Sequence, residues 1–275
     1  MPPIDAGGRA WYGGGMSTPP PASSPAPAGD AGWLALVATP IGNLEDITLR
    51  ALRTLREADL VAAEDTRHAR ILLDAHGIRT ALTPYHAFNE HRRTEALLDQ
   101  VAAGKKVALL SDAGTPAVSD PGFFIVRAAV ARGIEPVVLP GPSALTFSVV
   151  AAGLPVDRFR FLGFLPVKSG RRRTALATVA TTGETTFFFE SPHRIGRLLE
   201  EIRDVLGPDT RVAVIREATK LHEERLRGTA AELLQLTAGR TWRGELVVAV
   251  APPANGAGPA AEAADSAEAE TLRDE

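Results

Sequence analysis

The sequence predicts an α/β protein of two lobes, each a largely parallel or mixed sheet flanked by helices, with the active site in the cleft between them. Three observations carry that prediction. Strand-length apolar runs alternate with amphipathic helical segments from residue 33 to residue 250, the pattern of strands joined by crossover helices. The rhythm breaks from Gly153 to Arg160, where glycine, proline and charge interrupt it, so a boundary is expected near residues 145–157 and the lobes are read as 33–150 and 151–252. Three loops marked by glycine or proline each follow an apolar run: Thr39 to Leu44, Ser111 to Pro116, and Pro140 to Ala144. In a parallel sheet the loops leaving the strands' carboxyl ends gather along one edge, where ligands bind.

Taken in order, the run at 34–38 is a strand entering the first loop, followed by a helix over 47–58. A strand at 60–63 leads to a helix at 67–75 that stops before Gly77, and a helix at 90–103 stops before Gly104. Strand 107–110 enters the second loop, and helix 122–132 stops before Gly133. These glycines, with Gly207 later, follow helical runs as left-handed caps do. Strand 135–139 enters the third loop, where Pro142 and Ser143 suit the first turn of a helix at 143–152. The second lobe continues as strand 159–164, helix 170–180, strand 186–189, helix 194–206, strand 211–216, helix 229–236 and strand 245–250. Phe187, Phe188 and Phe189 lie in one of these strands and read as core. Thr229 and Glu232 have the spacing of a capping box.

With 45% hydrophobic residues, 23% charged and no cysteine, the chain reads as a soluble protein of a reducing cytoplasm, without disulfides or thiolate metal sites. No apolar stretch approaches the roughly 20 residues of a spanning helix, and no signal-peptide pattern is present. The histidines at 68, 76, 86, 91, 193 and 222 lack metal-ligand spacing, so no metal is expected. Residues 1–32, rich in glycine, proline, alanine and serine, and the acidic residues 253–275 read as disordered tails. Of the formal charge of −3, the ends carry −1 and −5, which leaves the middle at +3. That balance permits an anionic partner without demanding one. Neither a Gly-x-Gly-x-x-Gly fingerprint nor a P-loop supports a nucleotide-dependent oxidoreductase.

The three loops recur in company. Together with Ala63-Glu64-Asp65-Thr66-Arg67, Gly163-Phe164-Leu165-Pro166, Glu190-Ser191-Pro192-His193-Arg194, Arg216-Glu217-Ala218-Thr219-Lys220 and Gly244-Glu245, they resemble, in the same order, the ribosomal RNA small-subunit methyltransferase I family of the tetrapyrrole (corrin/porphyrin) methylase superfamily. The resemblance runs from Trp33 to Val250. It implies a tetrapyrrole methylase-like fold and a cytoplasmic homodimer acting on 16S rRNA, within the small ribosomal subunit. It further implies methyl transfer from S-adenosyl-L-methionine to the ribose 2′-hydroxyl of a cytidine, nucleotide 1402 in standard numbering. Arg243 departs from the lysine frequent in relatives, and the tails lie outside the pattern. Two rival readings are a methylase of a tetrapyrrole or corrinoid small molecule and a non-catalytic RNA-binding assembly protein.

Methyl transfer from a sulfonium is an in-line displacement, so the protein's task is to bind, align and polarise. Under the resemblance the cofactor is expected on Pro40, on Ser111, Asp112, Ala113, Gly114 and Thr115, on Pro142, Ser143 and Ala144, and on Arg216 and Glu245. Asp112 either binds a cofactor donor or closes its own turn. The ribose hydroxyl needs its proton withdrawn. Glu64 or Asp65 could accept it while Arg67 holds a phosphate or orients the carboxylate; alternatively all three only shape their loop. Lys220 is a further candidate, as a base of depressed pKa or a phosphate contact. Lys168, Arg171, Arg172 and Arg173 are expected to engage RNA phosphates.

Overall fold

A computed structural model describes residues 32–253; the two expected tails, but for Gly32 and Pro253, lie outside the described residues. The first lobe is built on β1 (Trp33–Val37), β2 (Leu60–Ala63), β3 (Ala81–Pro84), β4 (Lys106–Leu110) and β5 (Val137–Leu139). All are parallel, in the order β3-β2-β4-β1-β5. β1 is apolar throughout because both of its faces are covered. Ala35 and Val37 pack with α1 (Leu49–Glu57) and α2 (Thr66–Ala75), while Leu34 and Leu36 pack with α3 (Glu90–Ala102) and α4 (Phe123–Ala131).

The second lobe holds β6 (Phe159–Phe164), β7 (Thr185–Glu190), β8 (Arg211–Arg216), β9 (Glu224–Thr229) and β10 (Leu246–Val250), in the order β6-β7-β10-β8-β9. β6 and β7 are parallel; β10 runs against β7 and β8, and β9 against β8. The helices α6 (Ser169–Thr182), α7 (Ile195–Leu206) and α8 (Ala230–Leu236) cover one face, around Phe188, Val212, Val214 and Val248. The helix α5 (Ala144–Ala151) covers the other, around Phe187, Ala213, Val247 and Ala249.

That placement corrects the expected division at residue 150. Although α5 follows β5 directly in sequence, its apolar residues Leu145, Phe147 and Ala151 pack on the second sheet. The chain therefore passes from one lobe to the other through residues 140–143, so the third loop is itself the crossing.

β3 and β9 were not expected from the sequence. Both are edge strands, where burial on two faces does not select a continuous apolar run. The anticipated punctuation is otherwise present. Gly77, Gly104 and Gly133 have positive φ and Thr229 with Glu232 forms a reciprocal capping box, while Gly207 has φ 102° and ψ 154°, which is not the left-handed helical cap expected there. Ser143 differs: it stands at the N-cap of α5 but its side chain makes no cap hydrogen bond. No helix among the described residues is long and apolar enough to cross a membrane.

Strand direction positions the site. All five strands of the first sheet end at one edge. In the second sheet Leu246 pairs with both Glu190 and Arg216, and Arg216 with Glu224, so β7 and β8 end on the edge where β9 and β10 begin.

Candidate active site

These two edges face one cavity of about 330 Å³. The first lobe and the crossing supply Ile41, Ala113 to Thr115, Val118 to Asp120 and Ser143; the second supplies Ala144, Phe164, Phe189 to Pro192, Ile215, Ala218 and Gly244 to Val247. The loops that form it are stitched together. Thr39 and Gly114 exchange backbone hydrogen bonds at 2.8 and 3.0 Å, joining the first loop to the second. The Thr115 hydroxyl donates to the Pro142 carbonyl at 3.4 Å, joining the second to the third.

Backbone strain gathers at this place. Among the described residues four that are not glycine have left-handed φ: Ala117 (70°), Ser119 (66°), Glu217 (52°) and Thr219 (65°). All four lie in the two loops, residues 111–122 and 216–220, that reach the cavity from opposite lobes. Each such residue costs about 1–2 kcal/mol, so the surrounding structure must hold them there. Gly244 has φ of 86°, and a Cβ on it would overlap the Glu217 carboxyl.

The first rim is rich in carboxylates. Asp112 accepts the backbone N–H of Asp65 through Oδ1 at 2.9 Å and faces His68 Nδ1 through Oδ2 at 3.3 Å. It is committed to joining two loops of the first sheet. Burial, and then the negative charge of Asp112, raise the pKa of Glu64. Asp120 is pushed up to about 7 by burial, then by the charges of Glu64 and Asp112, with the Ser111 hydroxyl acting against them.

The second rim is ion-paired. The Lys220 ammonium lies 2.9 Å from Glu217 Oε1 and 3.0 Å from Glu245 Oε2. Burial opposes the charge on Glu217, but the Glu245 backbone N–H and the Lys220 ammonium outweigh it and lower its pKa. Arg216 donates to the Arg243 carbonyl at 2.7 Å and to the His222 carbonyl at 3.2 Å. The Glu190 carboxylate accepts from Ser191 N–H at 2.6 Å and pairs with Arg194 at 2.6 Å, fixing the turn that lines the cavity.

The residues singled out in the sequence separate into groups. Ala113, Gly114, Thr115, Ser143, Ala144 and Glu245 line the cavity. Pro40, Ser111 and Asp112 instead border a smaller groove beside His68, of about 190 Å³. Pro142 and Arg216 border neither; both are tied up in contacts between loops. Asp65 is the N-cap of α2 and is gripped by Arg67 Nη2 at 2.5 Å, which with the Arg67 N–H holds its pKa far below the usual carboxylate range. The expectation of a depressed-pKa lysine is corrected: burial works against the Lys220 charge, yet the two carboxylates outweigh it and raise the pKa.

Arg172 is corrected as well. It is 3% exposed and forms a bidentate pair with Glu201, at 2.5 Å through Nε and 2.8 Å through Nη2, while Nη1 donates to the Pro166 and Val167 carbonyls. Its side chain closes the β6–α6 connection and has no face for RNA. Lys168 and Arg171 are exposed, and Arg173 is half-buried with Asp204 at 3.6 Å.

Asp120 and the aromatic wall of Phe164 and Phe189 were missed. The Asp120-Pro121-Gly122 turn ahead of the helix expected from residue 122 was the available signal. Among the described residues no three His, Cys, Asp or Glu side chains gather as a metal site.

Two α/β lobes that meet across one cavity define a class of protein, and the family model for the Tetrapyrrole (Corrin/Porphyrin) Methylases matches residues 34–234. A solved diphthine synthase shares the fold, with a TM-score of 0.64 at 19% identity, over 80% of this chain and 90% of that one. Ribosomal RNA small subunit methyltransferase I of Mesorhizobium japonicum is 50% identical over 80% of this chain and 75% of its own length. The protein of that name from Halalkalibacterium halodurans is 45% identical over 80% of this chain and 76% of its own. The chain therefore belongs to the ribosomal RNA small subunit methyltransferase I family and is a methyltransferase.

Proposed function

We propose that this methyltransferase moves the methyl group of S-adenosylmethionine to the ribose 2′-hydroxyl of cytidine 1402 in 16S ribosomal RNA. In this reading it acts as a cytoplasmic homodimer on the small ribosomal subunit. One observation carries the reading: 50% identity to a relative named Ribosomal RNA small subunit methyltransferase I, over 80% of this chain.

The cavity's chemistry fits the cofactor. Its volume lies at the low end of the range of small-molecule sites, and Ile41, Val118, Phe164, Phe189, Ile215 and Leu246 give it apolar walls for a flat heterocycle. The Ser143 hydroxyl, free of its cap, and the Ala113 peptide offer polar contacts along its lining, while the Gly114 peptide is spent on Thr39. When bound, the cofactor supplies a methyl group on positively charged sulfur. The protein's part is to exclude water with those walls and hold the acceptor oxygen in line. Lys168 and Arg171 offer charge to RNA phosphates at the start of α6.

The test is direct. Purified protein, labelled S-adenosylmethionine and small subunits from cells lacking this activity should yield one 2′-O-methylcytidine after digestion to nucleosides. Label on a base, or transfer only to a porphyrinoid, overturns the reading.

A further inference from the structure

Three carboxylates line the cavity, and they are not equivalent. Glu190 is paired with Arg194, and Glu245 with Lys220. Asp120 has no ion-pair partner among the described residues. Neither is it consumed as a helix cap, because the N-cap of α4 is Gly122 and no side chain caps that helix. Its neighbour Ser119 approaches the second lobe: a Cβ on Gly163 of β6 would lie 3.1 Å from the Ser119 hydroxyl. Asp120 thus stands where the two rims come together, on a loop held by the strained backbone of Ala117 and Ser119.

We propose that Asp120 is the general base that takes the proton from the ribose 2′-hydroxyl. The inference rests on the reading of the cavity given above. As the bond from the ribose oxygen to the methyl carbon forms and the carbon–sulfur bond breaks, its electron pair stays on sulfur. The hydroxyl proton passes to the Asp120 carboxylate and then to water, so charge and atoms balance. The other carboxylates are less suited. Glu64 does not border the cavity, and both oxygens of Asp112 already face partners on the first lobe.

The groups facing Asp120 set its proton affinity. Glu64 from the β2–α2 loop, Asp112 from the β4 loop and Glu245 ahead of β10 all disfavour its charge, Lys220 neutralises part of Glu245, and Ser111 acts in the opposite sense. A base whose pKa is about 7 is half ionised near neutral pH and still takes up a proton readily.

The experiment compares wild type with Asp120→Asn and Asp120→Glu, using single-turnover methyl transfer to small subunits from pH 5.5 to 9, together with calorimetric binding of S-adenosylhomocysteine and thermal melting. The expected result is a wild-type rate that rises with pH and levels near or below about pH 7. Asp120→Asn should lose about 100-fold or more in rate, lose that inflection, melt no lower than wild type, and keep its affinity for S-adenosylhomocysteine. Asp120→Glu should restore part of the rate and the inflection. An Asn variant within threefold of wild type, or one that keeps the inflection, overturns the assignment. Loss of S-adenosylhomocysteine affinity in a folded Asn variant also overturns it, because Asp120 would then be a binding residue. If wild type itself fails to label ribose, the reading of the reaction fails first, and the two failures are told apart.

Discussion

The two rims of the cavity carry acids in opposite electrostatic settings. On the first side, Asp120 has no ion-pair partner among the described residues and lies near Glu64 and Asp112, and the pKa values of Asp120 and of Glu64, behind the cavity wall, are raised, whereas Asp65 on the Glu64 loop is held low by Arg67. On the second, Glu217 and Glu224 are each matched by a cation, and both pKa values are lowered, as is that of Glu201 beneath it. The difference follows from the folds. A parallel sheet brings five loops to one edge, where their acids meet one another. A mixed sheet brings strand starts beside strand ends, so Arg216 meets Glu224 across a register pair and Lys220, between β8 and β9, meets Glu245 just ahead of β10. Under the assignment proposed for Asp120, proton transfer falls to the first rim, while the second is held by its ion pairs.

The largest break in the comparison should come from the paired side. Arg172→Ala leaves Glu201 buried beside Ser169 without its bidentate partner and should cost about 3–5 kcal/mol in denaturant unfolding. Were Arg172 an RNA contact instead, stability would be unchanged. Gly244→Ala comes next. A Cβ at that positive φ collides with Glu217, and a loss of about 1–3 kcal/mol is expected with weaker S-adenosylhomocysteine binding in calorimetry.

Two further variants should move with pH in opposite directions. Asp120 has a folded pKa raised above its unfolded value, so its contribution is most favourable below about pH 4 and is lost as pH rises through about 7. Asp120→Asn should therefore gain on wild type between pH 4 and pH 8, by on the order of 1 kcal/mol after allowance for solvent screening. Glu224 is held low first by its hydrogen bonds from Arg240, so its contribution is present above its unfolded pKa and is lost as pH falls through the folded one. Glu224→Gln should be less stable than wild type at pH 7 and converge with it toward pH 3, a trend that urea titrations at each pH would show.

The smallest effect sharpens the assignment of RNA contacts. Replacing Lys168 and Arg171 together by glutamine should leave stability within about 0.5 kcal/mol, as expected for exposed positions. The salt dependence of RNA binding should flatten by about 0.7 per lost phosphate contact. An unchanged slope would remove both residues from the interface.

Much of this architecture was legible because burial on two faces writes itself as continuous apolar sequence. β1, β2, β4, β7, β8 and β10 are interior strands and carry such runs; all were anticipated within a residue or two. β3 ends in Pro84, and β9 alternates charge in Glu224, Arg225, Leu226 and Arg227, since an edge has a free side facing water. The helix α5 could not be placed because local sequence carries no address for the sheet on which a helix packs.

The site was partly legible for a related reason. Loops were readable from glycine and proline, and six of the eleven expected cofactor residues line the cavity. Which side chains point inward depends on the strained backbone at Ala117 and Ser119, which no residue type there announces. The Arg171-Arg172-Arg173 run looked uniform, yet the rotation of about 100° between successive helical residues sends Arg172 inward to Glu201 and leaves Arg171 in solvent.

The most direct test is a crystal structure with S-adenosylhomocysteine. The account predicts a nucleoside held in the 330 Å³ cavity between Ala113–Thr115 and Phe189–Pro192, with its sulfur toward Asp120. A ligand seated in the groove beside His68, or walls closed on one another so that none can enter, would contradict it.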